Sequence, residues 1–399
     1  MLDYFSVWPF FLEIALLLGI AATPLFRAAD SPPIPASNRI GAFDGLRGFL
    51  ALSVFFHHTA VYHDYLRTGV WASPSSRFYL LLGPAGVSMF FMITGYLFYS
   101  QLLKERGGPN WKKLYIGRIF RIIPLYWFAV ALVVFGVAVH SNWHLNVSPI
   151  QFLLEIVRWS MGALFPEAPI NASDFTYRIT LYVTWTLRYE WFFYISLLAL
   201  AIPARWRWSG VFFPPVFLCL ALLHEAFAAN PPTPWICVAL FLIGMSTAAL
   251  RNSNPNFKLR GISASIVAFA LIILAFLTPQ YIFMPIPELL LGAAFLLIGC
   301  GASLFGLLST YPAQRLGNIS YGIYLLQGAV FSGASSFVFV RVIDLNSPLG
   351  HWTASLLEAI ALVILATLTH RFIERPGIDL GRRLVSGYSA IRETKPAEE

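Results

Sequence analysis

The sequence predicts an all-α polytopic membrane protein, and three observations carry that prediction. Of its 399 residues, 58% are hydrophobic and 12% charged, whereas soluble domains carry about 25% charged residues. The apolar residues gather into eleven runs long enough to cross a bilayer, near 5–26, 43–62, 79–101, 119–140, 183–203, 208–227, 234–250, 261–279, 287–308, 320–341 and 352–371. The basic residues fall unevenly between those runs, 21 of 27 on one side and five on the other.

That bias sets the expected topology. Cytoplasmic connections collect Lys and Arg, so 27–47, 102–121, 203–209, 251–260, 309–318 and the tail from 371 are expected on the cytoplasmic side. The N-terminus is then outside and the C-terminus cytoplasmic. Arg67, Arg77, Arg158, Arg178 and Arg341 mark the outer side, and Arg188 lies within a run. The net charge of +8 thus reflects topology rather than a nucleic-acid partner. Cys219, Cys237 and Cys300 all sit in apolar runs, which argues against a disulfide framework and against a metal cluster.

The first run has Asp3 and no Lys or Arg ahead of it, and no convincing cleavage site follows. It reads as a retained N-terminal helix within residues 1–30 rather than a signal peptide. The outer gap 141–182 holds IQFLLEIVRWSMGAL, expected to form an interfacial helix. The same gap holds two sequons, at Asn146 and Asn171, that matter only in a host that glycosylates them. The charged tail 377–399 is expected to be cytoplasmic and loosely ordered. No internal repeat or soluble second domain is visible.

The second run carries the most informative residues. In DGLRGFLALSVFFHHTAVY, Arg47 and His58 are eleven positions apart, three helical turns plus about 20°, so they share one face ~16 Å apart along the axis. Ionisable groups inside a span are costly and point to function. Asp44, three residues before Arg47, can pair with it. An imidazole can take a proton from an attacking hydroxyl, so His58 is a candidate general base; the competing reading is a hydrogen-bonded core histidine. Arg47 is either a stabiliser of bound charge or a snorkelling anchor. His57 points about 100° away and is expected to be structural.

Two further segments add charge. KERGGPNWKKLYIGRIFRIIPLYW places Arg118 and Arg121 on one helix face, a pair able to grip phosphates through bidentate bonds or simply to contact anionic lipid. In TWTLRYEWFFY, Arg188 and Glu190 point about 200° apart, so each needs a partner on another helix. Glu190 is expected at the depth of His58, orienting the imidazole, or else as a structural interhelical bond. FFMITGYLF and LGNISYGIYLLQG place Gly95 and the polar series Ser320, Tyr321, Tyr324, Gln327 inside runs, for packing or for an interior polar face.

Together these segments resemble the acyltransferase-3 family of integral-membrane acyltransferases, from DGLRG at Asp44 to ERP at Glu374–Pro376. The arginine, ten residues, histidine pattern falls on Arg47 and His58. The SGYL-like motif reads TGYL at Thr94–Leu97, the arginine pair is Arg118 and Arg121, and the WSLxxE-type glutamate is Glu190. In the late LGxxSYxxYLxH-type motif, Gln327 stands where many members have histidine. The resemblance implies a ten-helix acyltransferase domain over 40–376, to which the 1–30 helix is additional. It implies transfer of an acyl group, usually acetyl, from cytoplasmic acyl-CoA to a hydroxyl, typically of a cell-surface or lipid-linked carbohydrate, in a bacterial inner membrane. Arg47, Arg118 and Arg121 would hold the donor, with His58 and Glu190 catalytic and no metal required. The alternative from another class is a transporter or flippase of a glycan or anionic substrate.

Overall fold

A computed structural model describes residues 2–30, 41–166, 168–227, 233–259, 261–279, 281–337 and 343–393. Arg39, Arg260, Arg341 and Lys395, which enter the charge bias, lie outside the described residues, as does Ile40 at the start of the expected domain. Among the described residues the regular secondary structure is helical. A helix occupies each of the eleven apolar runs: α1 (Trp8–Ala22), α2 (Gly41–Thr68), α3 (Arg77–Lys104), α4 (Trp111–His140), α7 (Trp185–Ala204), α8 (Arg207–Phe227), α9 (Thr233–Ser253), α10 (Ile262–Leu277), α11 (Pro285–Gly299), α13 (Ser320–Phe337) and α14 (Pro348–Thr369). Shorter helices α5 (Pro149–Ser160), α6 (Phe175–Thr180) and α12 (Tyr311–Asn318) lie in the connections. A single π turn at His370–Glu374 joins α14 to α15 (Arg375–Glu393).

By length and composition five helical segments can cross a membrane: α3, α4, α8, α9 and the continuous Pro348–Ser386 stretch. α1, α10 and α11 are apolar but shorter. The polar residues of α2 and the Arg188/Glu190 pair of α7 lower the hydropathy of those helices, so the elements with the most chemistry look least like plain spans.

Local rules explain the ends. Pro sits in the first turn of α1, α5, α11, α12 and α14, where its missing N–H costs nothing. Asn110 and Ser148 accept hydrogen bonds from the Lys113 and Gln151 amides at 3.0 and 3.2 Å, capping α4 and α5. α5 leaves Ile150, Leu153, Leu154 and Val157 exposed on one side, the amphipathic pattern expected of an interfacial element. The Asn171 sequon is spent on the loop: the side chain is buried, donating to the His144 carbonyl at 2.8 Å and accepting from the Asn146 amide at 2.7 Å.

Glycines set the tightest approaches. A Cβ on Gly317 of α12 would lie 1.6 Å from the Asp44 carbonyl oxygen, and one on Gly48 would lie 2.8 Å from the Gly317 nitrogen. The DGLRG and LGN segments therefore touch backbone to backbone. Gly95 and Gly244 do the same for α3 and α9, their notional Cβ atoms 2.3 Å from the Phe241 oxygen and 2.0 Å from the Met92 oxygen. Gly95 of the TGYL segment is thus a packing residue.

The N-terminal helix is fastened rather than appended. Buried Glu13 accepts from Ser355 of α14 at 2.9 Å. At the other end of α1, buried Arg315 donates to the carbonyls of Ala21 and Thr23, both at 2.7 Å, and to both oxygens of Asp30 at 2.6 and 3.1 Å. A guanidinium at a helix C-terminus satisfies orphan carbonyls and complements the dipole. The tail differs from expectation as well: residues 375–393 form a helix. Gly377 and Gly381 let it lie against Phe120 and Pro124 of α4.

Two outcomes follow for the detergent-solubilised protein. Gly317→Ala should lose about 1–3 kcal/mol through forced separation of α2 and α12, read as a lower thermal midpoint. Gly19→Ala, with nothing within 4 Å of its notional Cβ, should not. The Arg315 hydrogen bond holds the Asp30 carboxyl below its ordinary value. Its stabilisation is therefore complete above that ordinary value, about 4, and is lost as pH falls below it. Asp30→Asn should lower the midpoint at neutral pH and flatten its decline on acidification.

Candidate functional site

The site is built on the contact between α2 and α12. With the DGLRG backbone fixed against Gly317, Arg47 is held half-buried, its Nη1 3.3 Å from Asp44 Oδ1. One face of α2 then leads from Arg47 to His58. His57 is turned aside as its angle required. Its Nδ1 bonds the Tyr79 carbonyl at 2.8 Å, and the ring rests over Gly83, where a Cβ would come within 2.8 Å of it. His58 Nδ1 lies 3.2 Å from Gln327 Oε1, and Gln327 Nε2 donates to the Tyr324 carbonyl at 2.8 Å.

The polar series on α13 does line an interior face. Tyr321 donates to the Ile122 carbonyl of α4 at 3.0 Å. Tyr324 donates to the Val183 carbonyl at 3.0 Å and contacts the Thr186 hydroxyl at 3.0 Å. These bonds tie α13 to α4 and to the start of α7, so Gln327 reaches His58 from a braced helix.

Arg118, Arg121 and Glu190 form the second part of the site. Tyr115 of α4 donates to the Tyr194 carbonyl of α7 at 2.9 Å. One turn along α4 and one turn back along α7 stand Arg118 and Glu190, near enough for their charges to interact. Tyr194 donates to Glu190 Oε2 at 2.9 Å, and the charges acting on this carboxylate are Arg118, Arg121 and Arg47. The Arg118 guanidinium also lies 5.1 Å from the centroid of the Phe98 ring. Neither Arg118 nor Arg121 forms an ion pair with a carboxylate within 4.0 Å among the described residues. The two guanidinium groups share the single carboxylate of Glu190, and Arg118 also bonds Tyr194.

The structure accordingly brings Arg47, Arg118, Arg121 and Glu190 into one electrostatic group and leaves His58 with Gln327. No Glu190–His58 contact is found among the described residues; the charges acting on Glu190 are those of the arginines. Arg188, on the opposite side of α7, donates to the Phe165 carbonyl at 2.8 Å. Sequence reasoning missed Tyr194, although its i+4 spacing from Glu190 was a usable signal. It also missed a buried chain at the far end of α2. His63 Nε2 bonds Glu358 at 2.9 Å and His63 Nδ1 bonds His351 Nδ1 at 3.0 Å, a link that no spacing could reveal. Among the described residues no group of three or more His, Cys, Asp or Glu is arranged to hold a metal.

Comparison with known proteins matches the chain to a family. A family model described as an acyltransferase domain covers residues 40–369. Nodulation protein 10 of Rhizobium leguminosarum bv. viciae is 26% identical over 411 residues, covering 88% of this chain and 96% of that protein. No solved structure matches. With the family model spanning most of its length, the chain belongs to the acyltransferase-3 family.

Proposed function

We propose that the protein moves an acyl group, most simply acetyl, from cytoplasmic acyl-CoA to a hydroxyl of a cell-surface or lipid-linked carbohydrate. The observation that carries this reading is the half-buried cluster of Arg118, Arg121 and Arg47, three guanidinium groups against two carboxylates, Glu190 and Asp44. Such a site suits the phosphates of a nucleotide-bearing thioester. Lys112 and Lys113, at the start of α4, extend the same basic end. The charge bias supports a cytoplasmic position for that end, with the chain crossing a bacterial inner membrane.

In this reading Arg118 and Arg121 hold the phosphates, and Arg47 steadies the donor further in. Glu190, braced by Tyr194, orients the guanidinium groups, a role its contacts favour over orienting His58. The extended thiol arm brings the thioester toward His58 along the shared face of α2. His58 takes the proton of the acceptor hydroxyl as the new C–O bond forms, and returns it to the departing thiolate as the C–S bond breaks. The reaction needs no net proton and no metal. Membrane lipids surround the helices. Beside α5, on the outer side in this topology, a cleft of about 400 Å³ is lined by Gln151, Glu155, Arg158 and Trp159, polar groups suited to a glycan.

Purified protein supplied with labelled acyl-CoA and carbohydrate acceptors should label the acceptor and release free thiol in equal amounts. His58→Ala should lower turnover by about 10²-fold or more. Arg118→Ala/Arg121→Ala should raise the KM for acyl-CoA by about tenfold or more, as lost charge-assisted bonds imply. Transfer near the unmodified rate in His58→Ala would overturn the assignment of the base.

A further inference from the structure

Gln327 is wholly buried, and its two ends face different partners. The Tyr324 carbonyl, 2.8 Å from Nε2, can only accept a hydrogen bond, so the amide nitrogen must be the end that faces it. The oxygen end is thereby turned to His58 Nδ1 at 3.2 Å. An amide oxygen cannot donate. The only hydrogen that can make this bond is one carried by His58 Nδ1, which leaves the lone pair of the neutral ring on Nε2.

We infer that Gln327 is a positioning residue that fixes the tautomer of His58, presenting Nε2 as the proton-accepting atom. This rests on the reading of His58 as general base in the proposed acyl transfer. The neighbouring ring is held elsewhere, over Gly83. His57 Nδ1 is committed to the Tyr79 carbonyl in the same way, and the two rings stand nearly perpendicular, 5.0 Å apart. Tyr324 fixes the glutamine in turn, since its hydroxyl is bonded to the Val183 carbonyl and its own carbonyl is the anchor for Nε2. A histidine at 327 can donate or accept and can change protonation; a glutamine does neither by titration. The pair His58–Gln327 therefore contains one titrating group and one fixed dipole. During transfer His58 Nε2 gains the hydroxyl proton and passes it to the thiolate, while Nδ1 keeps its hydrogen throughout.

The test reads the tautomer directly. In protein labelled with 15N-histidine, the nitrogen shifts distinguish protonated from lone-pair nitrogens, and loss of one ring signal in His58→Ala assigns His58 among the eight histidines. The unmodified protein should show Nδ1 protonated and Nε2 bare. Gln327→Met, similar in shape but without the amide acceptor, should shift His58 toward the Nε2–H form. It should also lower kcat about tenfold or more while leaving the KM for acyl-CoA unchanged. Gln327→Glu, which offers an acceptor oxygen in either protonation state, should keep the Nδ1–H form. An Nε2–H tautomer in the unmodified protein would overturn the inference, and so would unchanged tautomer and kcat in folded Gln327→Met. If Gln327→Met does not fold, the spectrum of the unmodified protein decides alone. The outcome is separable from the catalytic reading. Transfer surviving in His58→Ala would remove the base assignment, whereas the nitrogen shifts report the Gln327 bond whatever the activity.

Discussion

The contact on which the rest of the structure depends is one between main chains. The Asp44 carbonyl occupies the space where a side chain on Gly317 would begin. Because neither helix interposes a side chain there, α2 and α12 sit at a separation fixed by backbone atoms alone. The half of the site carried by α2 and α13 is hung from that joint. Arg47 and His58 ride on α2. α13, which follows α12 directly, brings Tyr321, Tyr324 and Gln327 across from the other side. A glycine contact transmits position with little play, since backbone cannot rotate out of the way as a side chain can.

Charge organisation follows from the same economy. Arginines buried in an apolar setting are tolerable only when something answers them. Asp44 answers Arg47 and Asp30 answers Arg315. Glu190 is shared among three guanidinium groups. Arg315 is thus fully matched and structural, whereas the cluster around Glu190 retains positive charge. The contrast separates arginines that hold the fold from those suited to holding a ligand, although all are equally conspicuous in a hydropathy profile.

Much of this was legible in the sequence. The apolar runs gave the helices because composition alone decides whether a segment can be buried along its length. The Asp44–Arg47 pairing and the divergence of His57 from His58 followed from helical geometry within one element. What could not be read was the register between elements. Glu190 on α7 feels the arginines of α4, two helices linked by a Tyr115–Tyr194 bond, and His58 meets Gln327 across 269 residues of sequence. Arg315 looked like a lone cytoplasmic charge, since nothing local announces that it reaches back to α1. The tail offered charge and no apolar run, so its helix depended on Gly377 and Gly381 fitting against α4.

That reach has a consequence for biosynthesis. The carbonyl of Ala21 and the guanidinium that satisfies it are separated by 294 residues, and the Glu13–Ser355 bond closes over 342. The α1 helix is synthesised well before the groups that anchor it, which emerge from the ribosome 294 and 342 residues later. Until then its terminal carbonyls and its carboxyl have no native partner in the growing chain. Phe10 can pack on α2 and α3 early, but the polar fastening of α1 waits until α12 and α14 have been made.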